Sequence, residues 1–173
     1  MGEYKRQPLV VIVGRTNVGK STLFNRLAGK KIAIVDPTPG VTRDLLEEVV
    51  DFQGIEARVV DTGGIEFDSQ ELLQSMVEKK AWEIIEEADL IIFVVDGRTS
   101  LTFSEQELIV RLRRLGKRLL LVINKREGMT HEVPPADFFT LGVENMLQIS
   151  ALHGDGIRCL KEAVGKALRG MVS

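Results

Sequence analysis

The chain has 173 residues, 44% of them hydrophobic and 28% charged, with a formal net charge of -2. That length buries one real core and is short for two ordinary ones, and the near-balance of charge offers no basic field for DNA or an anionic membrane. A lone cysteine, Cys159, excludes an intramolecular disulfide, and with no long apolar run and no signal-like start the expected setting is the cytoplasm.

In chain order, strand and helix patterns alternate. Leu9 to Val13 is a continuous apolar run, as in a parallel strand covered on both faces, and Ser21 to Ala28 reads as a helix with Leu23, Leu27 and Ala28 inward. Residues 30–44 carry Pro37, Pro39 and Gly40 and read as a long loop. Two strands, 46–52 and 57–60, flank Gln53-Gly54-Ile55-Glu56, a hairpin spacing that predicts an antiparallel edge pair. A helix is expected over 71–88, then a buried strand over 90–95. Thr102 and Glu105 have capping-box spacing at the head of a helix to Leu115, with Leu108, Ile109, Leu112 and Leu115 inward. Strands at 119–123 and 147–149 and a helix over 156–168 complete the pattern. The predicted fold is α/β, a P-loop NTPase type: a mostly parallel six-stranded sheet with one antiparallel edge strand and helices on both faces.

The chemistry gathers where strands end. Gly14-Arg15-Thr16-Asn17-Val18-Gly19-Lys20-Ser21 has the Walker A spacing, directly after a buried strand and before a helix that continues with Thr22. Glycines let backbone N–H groups converge on phosphate oxygens, Lys20 adds a cation between the outer phosphates, and the Ser21 hydroxyl takes a place on Mg²⁺. Downstream, Asp61-Thr62-Gly63-Gly64 ends another strand, with Asp61 expected on a magnesium-bound water and the Gly64 N–H on the terminal phosphate. Thr42 is the candidate that closes over Mg²⁺ when triphosphate is bound.

Asn124-Lys125-Arg126-Glu127 and Ser150-Ala151-Leu152 resemble the guanine-recognition elements of translation-factor-type GTPases, usually Asn-Lys-x-Asp and Ser-Ala-x. The resemblance implies that Asn124 ties loops together, the Lys125 stem covers the base, the acidic residue pairs with two donors of guanine, and the Ala151 N–H meets its carbonyl. Glu127 stands where aspartate is usual and reaches one methylene further, which weakens guanine preference without abolishing it.

The ordered motif set resembles the TrmE-Era-EngA-YihA group of bacterial GTPases, and within it the first G domain of the Der (EngA) family. It is carried by Val13 to Leu27, Pro39-Gly40-Val41-Thr42-Arg43-Asp44, Asp61-Thr62-Gly63-Gly64-Ile65, Ala88-Asp89-Leu90, Val95-Asp96-Gly97, Leu141-Gly142 and Ile149 to Ile157. Thr16, where proline is common in the loop, departs from the pattern. The resemblance implies a GTPase that binds GTP or GDP with Mg²⁺ and acts in assembly of the large ribosomal subunit. It also implies that residues 1–173, one G domain, come from a longer protein with a second G domain and a KH-like domain.

Switch-type GTPases place a glutamine just after Asp-x-x-Gly to orient water, and Ile65 cannot do so. Arg15 and Arg43 are near enough to suggest an arginine finger. Related GTPases with asparagine at the Asn17 position hold K⁺ through its side-chain carbonyl, so Asn17 either binds K⁺ or only caps the loop. Lys20, Thr42, Gly64 and Asn17 are the expected catalytic set, with slow turnover. The alternative is a module that holds nucleotide with negligible hydrolysis. His131 and His153 lack ligand-spaced neighbours, Cys159 is expected to be at least half-buried, Trp82 need not stack on anything, and the cations of 111–118 read as a solvated face.

Overall fold

Three apolar runs dictate the centre of the molecule. β1 (Leu9–Val13), β4 (Leu90–Asp96) and β5 (Leu119–Asn124) are buried along their whole length, as parallel strands with helices on both faces must be. The computed structural model describes residues 6–30, 45–63 and 72–172, without the side chains of 72–77 and 172. β2 (Leu46–Phe52), β3 (Ile55–Asp61) and β6 (Met146–Gln148) complete one sheet, in the order β2-β3-β1-β4-β5-β6. Only β2 is antiparallel to its neighbour, β3.

Side-chain alternation then splits the core. Val10 and Ile12 of β1 face α1 (Lys20–Ala28) and α5 (Ile157–Val172), in a cluster with Leu23, Phe24, Leu27, Leu160, Val164 and Leu168. Leu9, Val11 and Val13 face α2 (Leu72–Glu87), α3 (Phe103–Arg114) and α4 (Ala136–Phe139), with Ile85, Ile109, Leu112 and Phe138. The capping box at α3 forms as its spacing predicts: Glu105 N–H donates to Thr102 Oγ1 at 3.1 Å and Thr102 N–H to Glu105 Oε1 at 2.9 Å.

Several local expectations are corrected. The hairpin turn is only Gln53 and Gly54, with φ of 55° and 91°, so β3 begins at Ile55. Two successive positive φ angles match the twist of the strands they join, which is why so short a turn works. Phe24 joins the inner face of α1, whereas Ala28 is half-buried. Leu115 is 47% exposed because α3 stops at Arg114 and the chain turns away at Gly116. Cys159 is exposed, one position off the stripe that buries Leu160. The short α4 has no long periodic signature and escapes sequence reading. The Trp82 ring does stack, with the Arg111 guanidinium 3.8 Å from its centroid.

The basic run on and after α3 proves to be partly structural. Lys117 Nζ donates to the carbonyls of Glu86 and Ala88, satisfying the end of α2, and Arg113 reaches Leu141 O at 3.0 Å. Arg118 reaches Ala167 O at 3.2 Å, on α5. Among the described residues no helix is long and apolar enough to cross a membrane.

Phe24 is fully buried between α1 and the sheet. Phe24→Ala should destabilise the protein by about 3–5 kcal/mol, read from the urea midpoint at unchanged slope.

Candidate functional site

At the carboxyl ends of the parallel strands, loops of distant sequence meet, the place where such sheets take ligands. The first loop leaves β1 at Gly14, where a Cβ would lie 2.6 Å from the Val94 carbonyl, so the chain can turn against β4 only without a side chain. Val18 is buried beneath the loop. Gly19 has φ of 100°, and a Cβ there would lie 2.2 Å from Asn124 Nδ2. That approach lets Asn124 donate to Val18 O at 2.8 Å, from the end of β5. Lys20 is only 5% exposed, and its ammonium is held by the Gly14 carbonyl and, at 2.8 Å, by the Arg15 carbonyl.

Beside Lys20, Ser21 Oγ donates to Asp61 Oδ2 at 3.5 Å, and the Gly63 N–H donates to Asp61 Oδ1 at 2.8 Å. A hydroxyl and a buried carboxylate, on a helix start and a strand end, form a hard oxygen pair suited to a magnesium ion and its waters. Thr62, placed with the ligand-binding residues from its motif, has its hydroxyl on Ile12 O at 2.8 Å. It ties β3 to β1, and its side chain is a brace. Thr22 is half-buried on the first turn of α1. Thr42, Arg43, Gly64 and Ile65 lie outside the described residues.

On the other side of the loop, Asn124 Oδ1 accepts the Ala151 N–H at 2.9 Å. The amide expected on a base carbonyl is thus engaged by Asn124. Lys125, with φ of 65°, extends its ammonium to Asn17 O at 2.6 Å and to within 3.3 Å of Asp96 Oδ2. Glu127 Oε1 accepts from Ser150 Oγ at 3.1 Å. Arg126, also counted with the ligand-binding residues, donates Nε to Gln148 Oε1 at 2.8 Å, its stem lying where a Cβ on Gly97 would intrude. Leu152 is 68% exposed beside it all. Asn17 is exposed at the crest of the phosphate-type loop, with φ of 66°.

Arg15 is not free to act as an arginine finger here. Its Nε stands 3.5 Å from the buried Glu105 carboxylate and its Nη2 donates to Thr99 Oγ1 at 3.2 Å. Residues that pattern reading missed include Arg26 of α1, which donates to Ala151 O at 2.8 Å and to Leu152 O at 2.6 Å. Gln148 and Asp96 were also missed as site residues, although Asp96 ends β4 just as Asp61 ends β3. Among the described residues no group of three or more His, Cys, Asp or Glu side chains is placed to hold a metal.

The sequence model of the 50S ribosome-binding GTPases matches residues 9–125. GTPase Der of Geobacter metallireducens is 48% identical over 161 residues, 93% of this chain and 37% of that protein. GTPase Der of Aquifex aeolicus is 45% identical over 92% of this chain and again 37% of its own length, so the chain spans little more than a third of these curated relatives. Among solved structures, an Era variant of Aquifex aeolicus bound to GDP and AlF4⁻ superposes with a TM-score of 0.78 at 29% identity, over 94% of this chain and 57% of that one.

Asp96 is the electrostatic hinge of the base-side loops. Burial alone would raise its pKa, but hydrogen bonds from the Arg98 side chain and backbone, together with Lys125, outweigh burial and lower it below the ordinary 3.8. A carboxylate whose folded pKa is depressed stabilises the fold above its unfolded pKa and loses that contribution as pH falls through the folded value. Asp96→Asn should therefore cost about 1 kcal/mol at pH 7 and progressively less below about pH 4, as urea midpoints measured across that range will show. An equal loss at both ends of the range excludes this role.

Proposed function

The chain belongs to the family of 50S ribosome-binding GTPases, and we propose that its site binds GTP with Mg²⁺ and hydrolyses it slowly to GDP and phosphate. The carrying observation is the junction at Asn124, which joins the Walker A loop to the Ala151 loop and so sets a phosphate site beside a base site. Ser21 and Asp61 would hold Mg²⁺, which supplies charge compensation to the outer phosphates. Lys20 exchanges its loop carbonyls for phosphate oxygens. Water attacks the terminal phosphorus, the bond to the bridging oxygen of GDP breaks, and the water proton leaves on phosphate. On the same reading Thr42 acts on Mg²⁺ and the Gly64 N–H on the terminal phosphate, and Gly14 to Thr22 and Asp61 to Ile65 count as the phosphate-binding residues.

On the base side, Asn124 to Glu127 and Ser150 to Leu152 recognise guanine. Glu127 replaces the more usual aspartate and accepts from Ser150 Oγ through Oε1, a bond that steadies the carboxylate and leaves it further lone pairs for the ring donors. GTP should displace a fluorescent GDP at least about tenfold more effectively than ATP, and Glu127→Asp should sharpen the preference several-fold. ATP competing as well as GTP would exclude the guanine assignment.

Asn17, exposed on the loop crest, supports K⁺ beside the phosphates in place of the glutamine whose position Ile65 occupies. Single-turnover hydrolysis should run about tenfold faster in K⁺ than in Na⁺, with the difference gone in Asn17→Ala. Equal rates, or a difference that survives the substitution, overturn the K⁺ role; tight binding with no turnover in either salt favours a nucleotide-holding module. The resemblance to Der supports a cytoplasmic role in large-subunit assembly, within a parent protein carrying a second G domain and a KH-like domain. Nucleotide-dependent co-sedimentation with 50S particles tests that role.

A further inference from the structure

We propose that Glu105, on α3, is a positioning residue for the phosphate-type loop and acts through Arg15. The proposal rests on the loop being the phosphate site, but its physical content concerns the loop without any ligand. Glu105 is 4% exposed, although it lies in the first turn of a surface helix. Its Oε1 takes the Thr102 N–H of the capping box, and its Oε2 is buried with no hydrogen-bond partner. A capping glutamate has no need of burial, and a buried carboxylate is costly unless a cation compensates it.

Among the described residues Arg15 supplies that cation, with Nε 3.5 Å from Oε1. Its Nε is itself buried without a hydrogen-bond partner, so the pair is held by charge and packing. The guanidinium is fixed at its other corners by Thr99 Oγ1 at 3.2 Å and Thr16 O at 3.4 Å. Arg15 also offers the carbonyl on which the Lys20 ammonium rests at 2.8 Å. A continuous path therefore runs from the head of α3 through Glu105 and Arg15 to the lysine of the loop. Neither end of it lies on a motif that names the other.

Glu105→Gln keeps the size and the oxygen that caps Thr102 but removes the charge that faces Arg15. Hydrogen exchange of the nucleotide-free whole chain should quicken about tenfold in peptides spanning 14–19 for Glu105→Gln. Thr102→Ala, which removes the capping hydroxyl and leaves the ion pair, should speed exchange only at the start of α3. The rate of GDP release should rise in parallel with the loop exchange, and adding Glu105→Gln to Arg15→Gln should change neither quantity further. Unchanged exchange in 14–19, or effects of the two substitutions that multiply, overturns the proposal. If Glu105→Gln fails to fold, Thr99→Ala at the exposed end of the pair reads the same path: faster exchange in 14–19 supports it and unchanged exchange overturns it. A native chain that binds no guanine nucleotide sinks the nucleotide reading while leaving the exchange comparison to decide this one.

Discussion

Asn124 spends both ends of its carboxamide on backbone from two other loops, Nδ2 on Val18 O and Oδ1 on the Ala151 N–H. Everything at the site is referred to that junction. It can exist because β5 delivers Asn124 at its last position, and because Gly19 has no Cβ to fill the space that Nδ2 needs. Lys125 follows with a positive φ and turns back over Asn17. Arg26 of α1 grips the same Ser150–Leu152 loop from the other side. The helix that begins with the phosphate-loop lysine thus also anchors the base-side loop.

Charge at the site is arranged locally, with the net balance of the chain playing little part. Lys20 rests on carbonyls, Lys125 lies near Asp96, and Arg98 draws its raised pKa chiefly from its hydrogen bond to Asp96. The loops are pre-folded around cations that already have oxygen partners, so an anionic ligand exchanges one set of acceptors for another. Arg113, Lys117 and Arg118 are likewise engaged with carbonyls of neighbouring elements. These three cations tie neighbouring elements together from the surface.

What could be read from sequence followed from local physics. The apolar runs of β1, β4 and β5 dictate buried parallel strands, and Thr102 with Glu105 dictates a helix start. The spacing from Gly14 to Ser21 dictates a phosphate-type loop. Leu115 and Cys159 were misjudged because helical phase near an end depends on where the chain leaves the axis. Arg26 and the Arg15–Glu105 pair were invisible for a different reason: each partner lies far away in sequence, and no spacing rule connects them. Thr62 and Arg126 sit inside motifs, yet their side chains brace strands and loops, since a motif constrains backbone placement more than it constrains every side chain in it.

The antiparallel strand β2 has one further consequence, for how copies of the chain behave towards each other. Among the described residues its outer edge has no strand beside it, which would ordinarily invite a second molecule to add there. Glu47, Glu48 and Asp51 line this strand, and among the described residues ion pairs form at Glu47 with Arg58 and at Glu48 with Lys30. Two such edges brought together would set carboxylate against carboxylate. The opposite edge, β6, is three residues long and gives little to pair with. Edge-to-edge aggregation is thereby opposed at both margins of the sheet, by repulsion at one and by brevity at the other.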